Sequence, residues 1–580
     1  MMQRILPPLS IGRRRLAVSR WDILAGLLAL GLLVFFVVTG SKLSQPLVEM
    51  QSAPLSLDAW HLPGYAARTS LRMLVALGLS LLFTFTFATL AAKNRLAGMV
   101  LIPILDVLQS VPILGFISVT ALFFMSIAPG RVLGVEFAAI FAIFTSQAWN
   151  MTFSFYQSLR TVPTELIEAS RNFQLSGWAR FWRLEVPFAM PTLIWNMMMS
   201  MSGGWFFVVA SEAIAVGNTN IRLPGVGSYI ALAIDQRNLP AIGWAIGTML
   251  VVILIYDQVL FKPLVAWADR FRFDQQPSIN PPKSWVLTAL RRSHLIDWLS
   301  QPFALALRWS FRLRLTRSKA AATSQRYEGG RHALADRLFY ALIAVVGLAV
   351  FMWALPWLIS RIGFHDIWYT VLLGFATMCR VFILIALASV IWVPIGVWVG
   401  LRPEFARLVQ PVAQFLAAFP ANLLFPIAVS VIVALQLNPD IWLSPLMILG
   451  TQWYILFNVI AGAAAIPDEM RDAGINFQVR GWLWWRKIAL PAVFPFYVTG
   501  AITASGGSWN AAIVAELVNW GDTKLQARGL GAYIAEATST GDMHHVILGI
   551  AVMSIFVLLI NRIFWRPLYW YAERKFRLTT

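Results

Sequence analysis

Two glutamates, Glu212 and Glu516, lie at the margins of long apolar runs. A charge at the centre of a spanning helix costs about 2.5 to 3.5 kcal/mol on insertion scales, so each carboxylate is a candidate for work along a solute path. Two roles are open to them: shaping or latching a passage between matched halves of the chain, or capping a neighbouring helix. Their place near run ends points to the second. Arg72 and Arg380 open apolar runs, as interface markers or as cations that draw anions inward. Asp106, Gln109 and Ser110 lie between Pro103 and Pro112, whose missing N–H groups bend a helix and free backbone groups. They are the candidate lining of a passage, with hydrogen-bonded helix packing as the alternative. The matching later positions are Gln414, Ala417 and Ala418, so such a passage is asymmetric.

Other chemistry is sparse. Six histidines and one cysteine, Cys379, provide no metal-ligand spacing and no intramolecular disulfide. No Gly-x-x-x-x-Gly-Lys-Ser/Thr is present to cradle nucleotide phosphates, and no Ser/His/Asp arrangement or paired-carboxylate motif emerges. An enzyme embedded in the membrane therefore has little support.

The elements that must carry these residues are membrane spans. Of 580 residues 58% are hydrophobic and 13% charged, against about 25% charge in a soluble domain. Apolar blocks of about 20 residues, long enough to cross a bilayer, recur along the chain. Candidate spans are 23–40, 71–92, 100–125, 137–156, 192–216 and 242–261, then 338–358, 371–399, 408–433, 442–465, 494–517 and 546–563. The fold class is thus an all-α membrane protein of about twelve helices. The first block is anchor-length with no clear small-x-small cleavage pattern, so it reads as a retained anchor.

The net charge of +19 suggests nucleic acid in a soluble protein, but here Lys and Arg sit mainly between apolar blocks, where they set orientation. The basic amino terminus, the Lys93/Arg95 loop and the Arg562–Arg577 tail fall on one side, the cytoplasm, if each span crosses once. Between Lys262 and Arg337, fourteen Lys or Arg face five Asp or Glu, and parity places this stretch inside too. Its residues 277–282 read as a flexible linker. Residues 298–315 read as a segment along anionic headgroups or a disordered basic linker. Three regions follow: a first half 1–266, a basic linker 267–335 and a second half 336–580.

The halves repeat. Residues 163–187 align without a gap on 467–491, and nine of twenty-five positions are identical. The same offset pairs Glu212 with Glu516, Gly225 with Gly529 and Gly227 with Gly531. A slightly larger one pairs Arg72 with Arg380, Pro103 with Pro411 and Pro112 with Pro420. Six spans per copy, an even number, make the copies parallel and relate them by a pseudo-twofold axis along the membrane normal, with the path between them. Trp149 and Trp453 also match, as packing residues, and Gly203-Gly204 with Gly506-Gly507 allow close helix approach.

The best-matched stretch is the cytoplasmic loop between the fourth and fifth spans of each copy. A proline opens it and Glu165 or Glu469 follows in the first turn, where free backbone donors and the helix dipole favour an anion. A short helix to about Phe173 or Phe477, a turn near Gly177 or Gly481, and an aromatic, basic continuation are expected. Headgroup anchoring accounts for the aromatic residues, but not for the repeated Asn172-Phe173-Gln174 and Asn476-Phe477-Gln478. A protein groove that buries the aromatic rings does.

These loops resemble those of permease subunits of type I ATP-binding-cassette importers, which read Glu-Ala-Ala, three residues, Gly, nine residues, Ile-x-Leu-Pro. The first copy has Glu168-Ala169-Ser170, then Gln174, then Leu184-Glu185-Val186-Pro187. The second has Asp472-Ala473-Gly474, then Gln478, then Ile488-Ala489-Leu490-Pro491. Gln replaces the motif glycine twice, which leaves the tight turn to Gly177 and Gly481, and Asp472 shortens the second acid. The resemblance covers about residues 69–266 and 370–575. It is greatest to the nitrate, sulfonate and taurine group, through Gln109-Ser110-Val111-Pro112, Gly225-Val226-Gly227 and Gly529-Leu530-Gly531.

The resemblance implies coupling helices that seat in clefts of two ATPase subunits, with Glu168, Ala169, Gln174, Gly177 and Asp472, Ala473, Gln478, Gly481 at the contact. ATP and Mg are then held by those partners and no cofactor by this chain. A separate extracytoplasmic solute-binding protein, a bacterial inner-membrane location, a small anionic solute and one permease chain per complex are implied as well. The rival class is a twelve-span secondary transporter of the major facilitator type, also built from parallel repeats. Such carriers keep a Gly-Asp-Arg-rich motif between spans two and three, where this chain has only Lys93-Asn94-Arg95 and Arg402-Pro403.

Overall fold

A computed structural model describes residues 55–216, 219–271, 284–292 and 362–576, with isolated positions elsewhere. The first half contains α1 (Ala59–Lys93), α2 (Arg95–Leu108), α3 (Ile113–Ile127), α4 (Val132–Arg160), α5 (Thr164–Asn172) and α6 (Gly177–Glu212). It continues through β1 (Ala213–Val216), β2 (Thr219–Arg222), α7 (Val226–Asp235) and α8 (Leu239–Phe271), and α9 (Trp285–Arg292) follows. The second half repeats the order as α10 (Phe364–Gly400), α11 (Pro403–Ala418), α12 (Ala421–Ala434), α13 (Pro439–Ile448) and α14 (Gln452–Ala464). It ends with α15 (Asp468–Asn476), α16 (Gly481–Ala515), β3 (Leu517–Trp520), β4 (Thr523–Gln526), α17 (Leu530–Thr540) and α18 (Met543–Phe576).

Helices dominate because, in lipid, backbone polar groups must be satisfied within the segment. Seven described helices (α1, α4, α6, α8, α10, α16 and α18) are long and apolar enough to cross a membrane, and three bent pairs raise the number of crossings to as many as 10. The expected anchor at 23–40 and the expected span at 338–358 fall almost entirely outside the described residues, as do 277–282 and most of 298–315.

Three of the candidate spans are broken. The α2–α3 pair bends by 94° before Pro112, α11–α12 by 72° before Pro420, and α13–α14 by 43° at Gly450. A proline supplies no N–H and disfavours helical backbone in the residue before it, which accounts for the first two breaks. The third has no counterpart in the first half, where α4 runs unbroken through Ser146 and Gln147. Within α6, α8, α16 and α18 the helix widens by one π-helical turn at Phe181–Glu185, Asp257–Phe261, Trp485–Ala489 and Asn561–Trp565, matched between the halves.

In the first half α1, α4 and α6 pack around Met73, Met151, Phe155 and Trp205; in the second α10, α14 and α16 pack around Val381, Ile455 and Trp509. Trp205 and Trp509 are matched and buried. Gly204 admits Met73 and the Gln147 amide, and Gly507 admits Thr451; Gly506 meets no neighbour. The halves interlock, with α3 against α16 and α18, and α11 against α6.

Two antiparallel hairpins were not legible as strands. Ala213 pairs with Arg222 in one and Leu517 with Gln526 in the other. The sequence cue was Gly217-Asn218 and Gly521-Asp522, the kind of pair that closes a two-residue turn. Each hairpin packs on its own half and on the opposite one, β1 on α3 and α17, β3 on α12 and α7. Arg237 holds left-handed backbone (φ 53°) where the second copy has Gly541 (φ 75°). Its guanidinium lies 3.5 Å from Asp522 in the β3–β4 turn, and the Gly521 N–H donates to the Ile234 carbonyl at 3.2 Å.

Candidate functional site

Three regions are built by the repeat: a pair of buried clamps at the hairpin end, a cavity on the axis, and twin loops at the opposite end.

Each clamp is assembled around a glutamate. Glu212 Oε1 accepts from Thr69 Oγ1 and Arg72 Nη1, both at 2.6 Å, and Oε2 accepts from the Gly227 N–H at 2.7 Å. Arg72 also forks onto Glu136 at 2.6 and 2.7 Å, and Nη2 reaches the Pro224 carbonyl at 3.1 Å. The second copy repeats this. Glu516 accepts from Thr377 at 2.9 Å, Arg380 at 3.1 Å and the Gly531 N–H at 2.8 Å, and Arg380 turns to Asp440 at 3.1 Å. The threonines accept in turn from the Val226 and Leu530 N–H groups. Free amides at the starts of α7 and α17 are thereby satisfied by a carboxylate, the chemistry a helix N-terminus favours. A Cβ at Gly225 or Gly529 would overlap that carboxylate, which is why both positions are glycine.

Of the two roles open to the glutamates, the structure places them in the second, capping a neighbouring helix, and not in the lining. Glu212 and Glu516 are almost fully enclosed, with both oxygens engaged inside their own half, and neither lines the axial cavity. Arg72 and Arg380 are paired within the clamps rather than presented to solute. Thr69, Glu136, Thr377 and Asp440 were missed, although Thr69 and Thr377 share the repeat offset of the two arginines.

The cavity, about 90 Å³, lies where the halves meet. Matched pairs Gly203 and Gly507, Phe206 and Asn510, and Phe207 and Ala511 all line it, which places it on the pseudo-axis. These residues precede Glu212 or Glu516 by about one and a half to two and a half helical turns, roughly 7 to 14 Å along the axis, so the cavity sits toward the hairpin end. The break at Gly450 supplies Thr451 and Tyr454 to its wall. Of the proline-segment positions, Ala417 lines it.

The other named residues of those segments lie elsewhere. Asp106 Oδ2 accepts from Arg566 Nη2 at 2.6 Å across the two halves. Gln109 is exposed, Ser110 Oγ donates to the Asp106 carbonyl at 2.9 Å, and Gln414 Nε2 lies 2.8 Å from Met198 Sδ. The break after α2 frees the Ile113 N–H, which donates to Asn510 Oδ1 of the other half at 2.8 Å.

Both loops lie at the end opposite the hairpins. Lys93 Nζ bonds Glu185 at 2.6 Å, tying the α1–α2 connection to the segment after α5. Helices α5 and α15 each start after a proline and carry Glu168 or Asp472 exposed, with Ala169 or Ala473 partly covered. The turn that follows differs from expectation. It falls on Gln174 (φ 51°) and Gln478 (φ 54°), which themselves adopt the left-handed conformation at the motif-glycine position. Gly177 instead begins the next helical turn, capped by Ser176 Oγ accepting from Ala179 N, and only Gly481 (φ 56°) is left-handed. Phe173 and Phe477 are 67% and 83% exposed, and Trp482 is exposed, whereas Trp178 Nε1 donates to Ser310 Oγ at 3.0 Å. Among the described residues no cluster of His, Cys, Asp and Glu is placed to hold a metal ion.

A family model described as "binding-protein-dependent transport system inner membrane component" matches twice, at residues 84–267 and 392–571. The bicarbonate transport system permease protein of Synechococcus elongatus is 29% identical over 195 residues, 34% of this chain and 66% of that protein. The nitrate import permease protein of Synechocystis is 25% identical over 188 residues, 32% of this chain and 65% of that protein. The trimethylamine N-oxide transport system permease protein of Pelagibacter ubique is 29% identical over 198 residues, 34% of this chain and 25% of that protein. The chain thus spans just under two-thirds of the bicarbonate and nitrate permeases. With both halves matched and both built to one plan, this chain belongs to the family of binding-protein-dependent transport system inner membrane components, as an internally duplicated permease with two such units in one polypeptide.

Proposed function

We propose that the chain forms both halves of the translocation path of an ATP-driven importer for a small anionic solute. The observation that carries this reading is the pair of matched loops at one end of the molecule, each presenting an exposed acid, Glu168 or Asp472, and an exposed aromatic ring, Phe173 or Phe477. Two ATPase subunits, alike because the loops are alike, seat these loops and bring ATP and Mg; Ala169, Ala473, Gln174, Gln478, Gly177 and Gly481 shape the contact. Closure of the ATPases on ATP moves α6 and α16, which run continuously from each loop to the axial cavity.

An extracytoplasmic binding protein delivers solute at the hairpin end, where each hairpin already reaches across to the other half. One chain per complex suffices. The Lys and Arg distribution supports a bacterial inner-membrane location with both termini cytoplasmic, and permeases named for bicarbonate and nitrate among the relatives support an anion. In this reading Asp106 contributes through its cross-half pair with Arg566, at the edge of the path, and Gln109, Ser110 and Gln414 through the bent segments flanking it.

The test is paired charge reversal. Glu168→Arg with Asp472→Arg should reduce ATPase co-purification at least tenfold while leaving the amount of chain in the membrane unchanged. Undiminished association removes the coupling role.

A further inference from the structure

We propose that the two loops are unequal docks: the second, around α15, supplies most of the grip on the ATPase subunits through an exposed apolar and acidic patch that the first lacks. This deepens the importer reading and rests on it.

The loops agree in backbone plan and in placing an acid before Ala169 or Ala473, yet they differ in what they expose. In residues 163–179 Phe173 alone is an exposed large apolar side chain. In the matched residues 467–483 there are five: Met470, Ile475, Phe477, Trp482 and Leu483. The difference is set position by position in the sequence. Ile475, 68% exposed, stands where the first loop has the cation Arg171, Leu483 where it has the buried Ala179, and Met470 where it has the partly buried Leu166. Trp482 is 73% exposed, whereas its match Trp178 is partly buried and donates to Ser310 of the basic linker. The chain itself thus engages in the first loop the ring that the second leaves open.

Charge selects the occupant. Helix α15 exposes Asp468, Glu469 and Asp472, and its cation, Arg471, is turned back: Nη2 donates to the Ala463 carbonyl at 3.3 Å and Nη1 lies 3.6 Å from Asp468. Helix α5 sets Glu165 and Glu168 against an exposed Arg171. Anionic headgroups attract basic segments and repel a cluster of acids. Apolar side chains beside three acids therefore suit a protein cleft with an apolar floor and a basic rim, which an ATPase subunit seated on this loop would present. The patch is also braced. A Cβ at Gly474 would meet Ile488 Cδ1 at 2.7 Å, so glycine lets α15 sit closely on its own half, and a helix held in place loses less freedom on binding. Two like clefts meeting these two surfaces are held unequally, an arrangement open to a fused duplicate and closed to a pair of identical chains.

The ATPase that co-purifies with the unaltered full chain is separated and titrated back onto the chain in lipid nanodiscs. Phe477→Ser should raise the binding midpoint at least tenfold, and the matched Phe173→Ser less than threefold. Ile475→Arg, which gives the second loop the type of residue the first carries there, should also raise it at least tenfold. All three side chains are exposed, so the unfolding temperature of the chain without ATPase should stay unchanged. Where Phe477→Ser lowers that temperature, the comparison is made between Ile475→Arg and Phe173→Ser. The proposal is overturned if Phe173→Ser weakens binding as much as the second-loop variants do. It is equally overturned if the second-loop variants leave the midpoint unaltered, which would assign the patch to the membrane surface. Equal weakening from both loops leaves the importer reading standing and removes only the inequality; that reading itself fails on a different result, the absence of any ATPase with the unaltered chain.

Discussion

Arg72 holds two carboxylates at once, and its removal from water is offset only because Glu136, Glu212 and the Pro224 carbonyl together occupy its donors. Deleting the arginine would leave two buried carboxylates without compensation, which costs about 3 to 5 kcal/mol. Arg72→Ala should therefore destabilise the chain by about that amount in reversible unfolding from mixed micelles. A loss under about 1 kcal/mol, the size of a surface pair, would contradict the clamp. The repeat made Glu212, Glu516, Arg72 and Arg380 visible in the sequence, because identical residues recurred at two nearly equal offsets. Glu136 and Asp440 stayed hidden: they occupy equivalent places with different side chains, and nothing local links them to arginines some sixty residues away. Gln174 and Gln478 show the opposite case. Their identity and position were plain, yet two nearby glycines drew the turn away from them on the general ground that glycine tolerates positive φ.

At the scale of elements, length and apolarity located the helices that run straight, whereas breaks at Pro112, Pro420 and Gly450 depend on what the freed backbone can find across the interface. The Ile113 N–H finds Asn510 of the other half, a contact that no single-segment reading contains. Hairpins of four-residue strands lie below what apolar periodicity detects. The second hairpin is fastened to α17 by Lys524 Nζ and Gln526 Nε2, which donate to Glu536 at 2.9 and 3.1 Å and hold its carboxyl below the ordinary carboxylate range. A carboxyl depressed on folding contributes stability that is present above its unfolded pKa and is lost as pH falls through the folded one. Acidification through and below the usual Glu range should thus speed amide exchange in Thr523–Gln526, and Glu536→Gln should flatten that dependence. Exchange in the unaltered chain that ignores pH once intrinsic chemistry is corrected would contradict the fastening role.

The whole molecule is two copies of one plan whose side chains differ at some positions and are kept at others. The clamps and loops are kept nearly alike, which fits parts that must act in concert, while the axial wall differs, with Phe206 matched by Asn510 and Asn150 standing where the other half has Tyr454. The duplication, the all-α membrane class and the twin loops could be argued from the sequence, since they rest on periodicity and identity. The cavity could not, because its wall is assembled from residues hundreds of positions apart. What separates this account from a gradient-driven carrier is the source of work. The direct measurement is accumulation of labelled nitrate or bicarbonate in proteoliposomes that hold this chain with its ATPase and binding protein. Accumulation should require ATP hydrolysis and vanish when the ATPase is omitted; uptake by this chain alone, driven by a proton or sodium gradient, would contradict it.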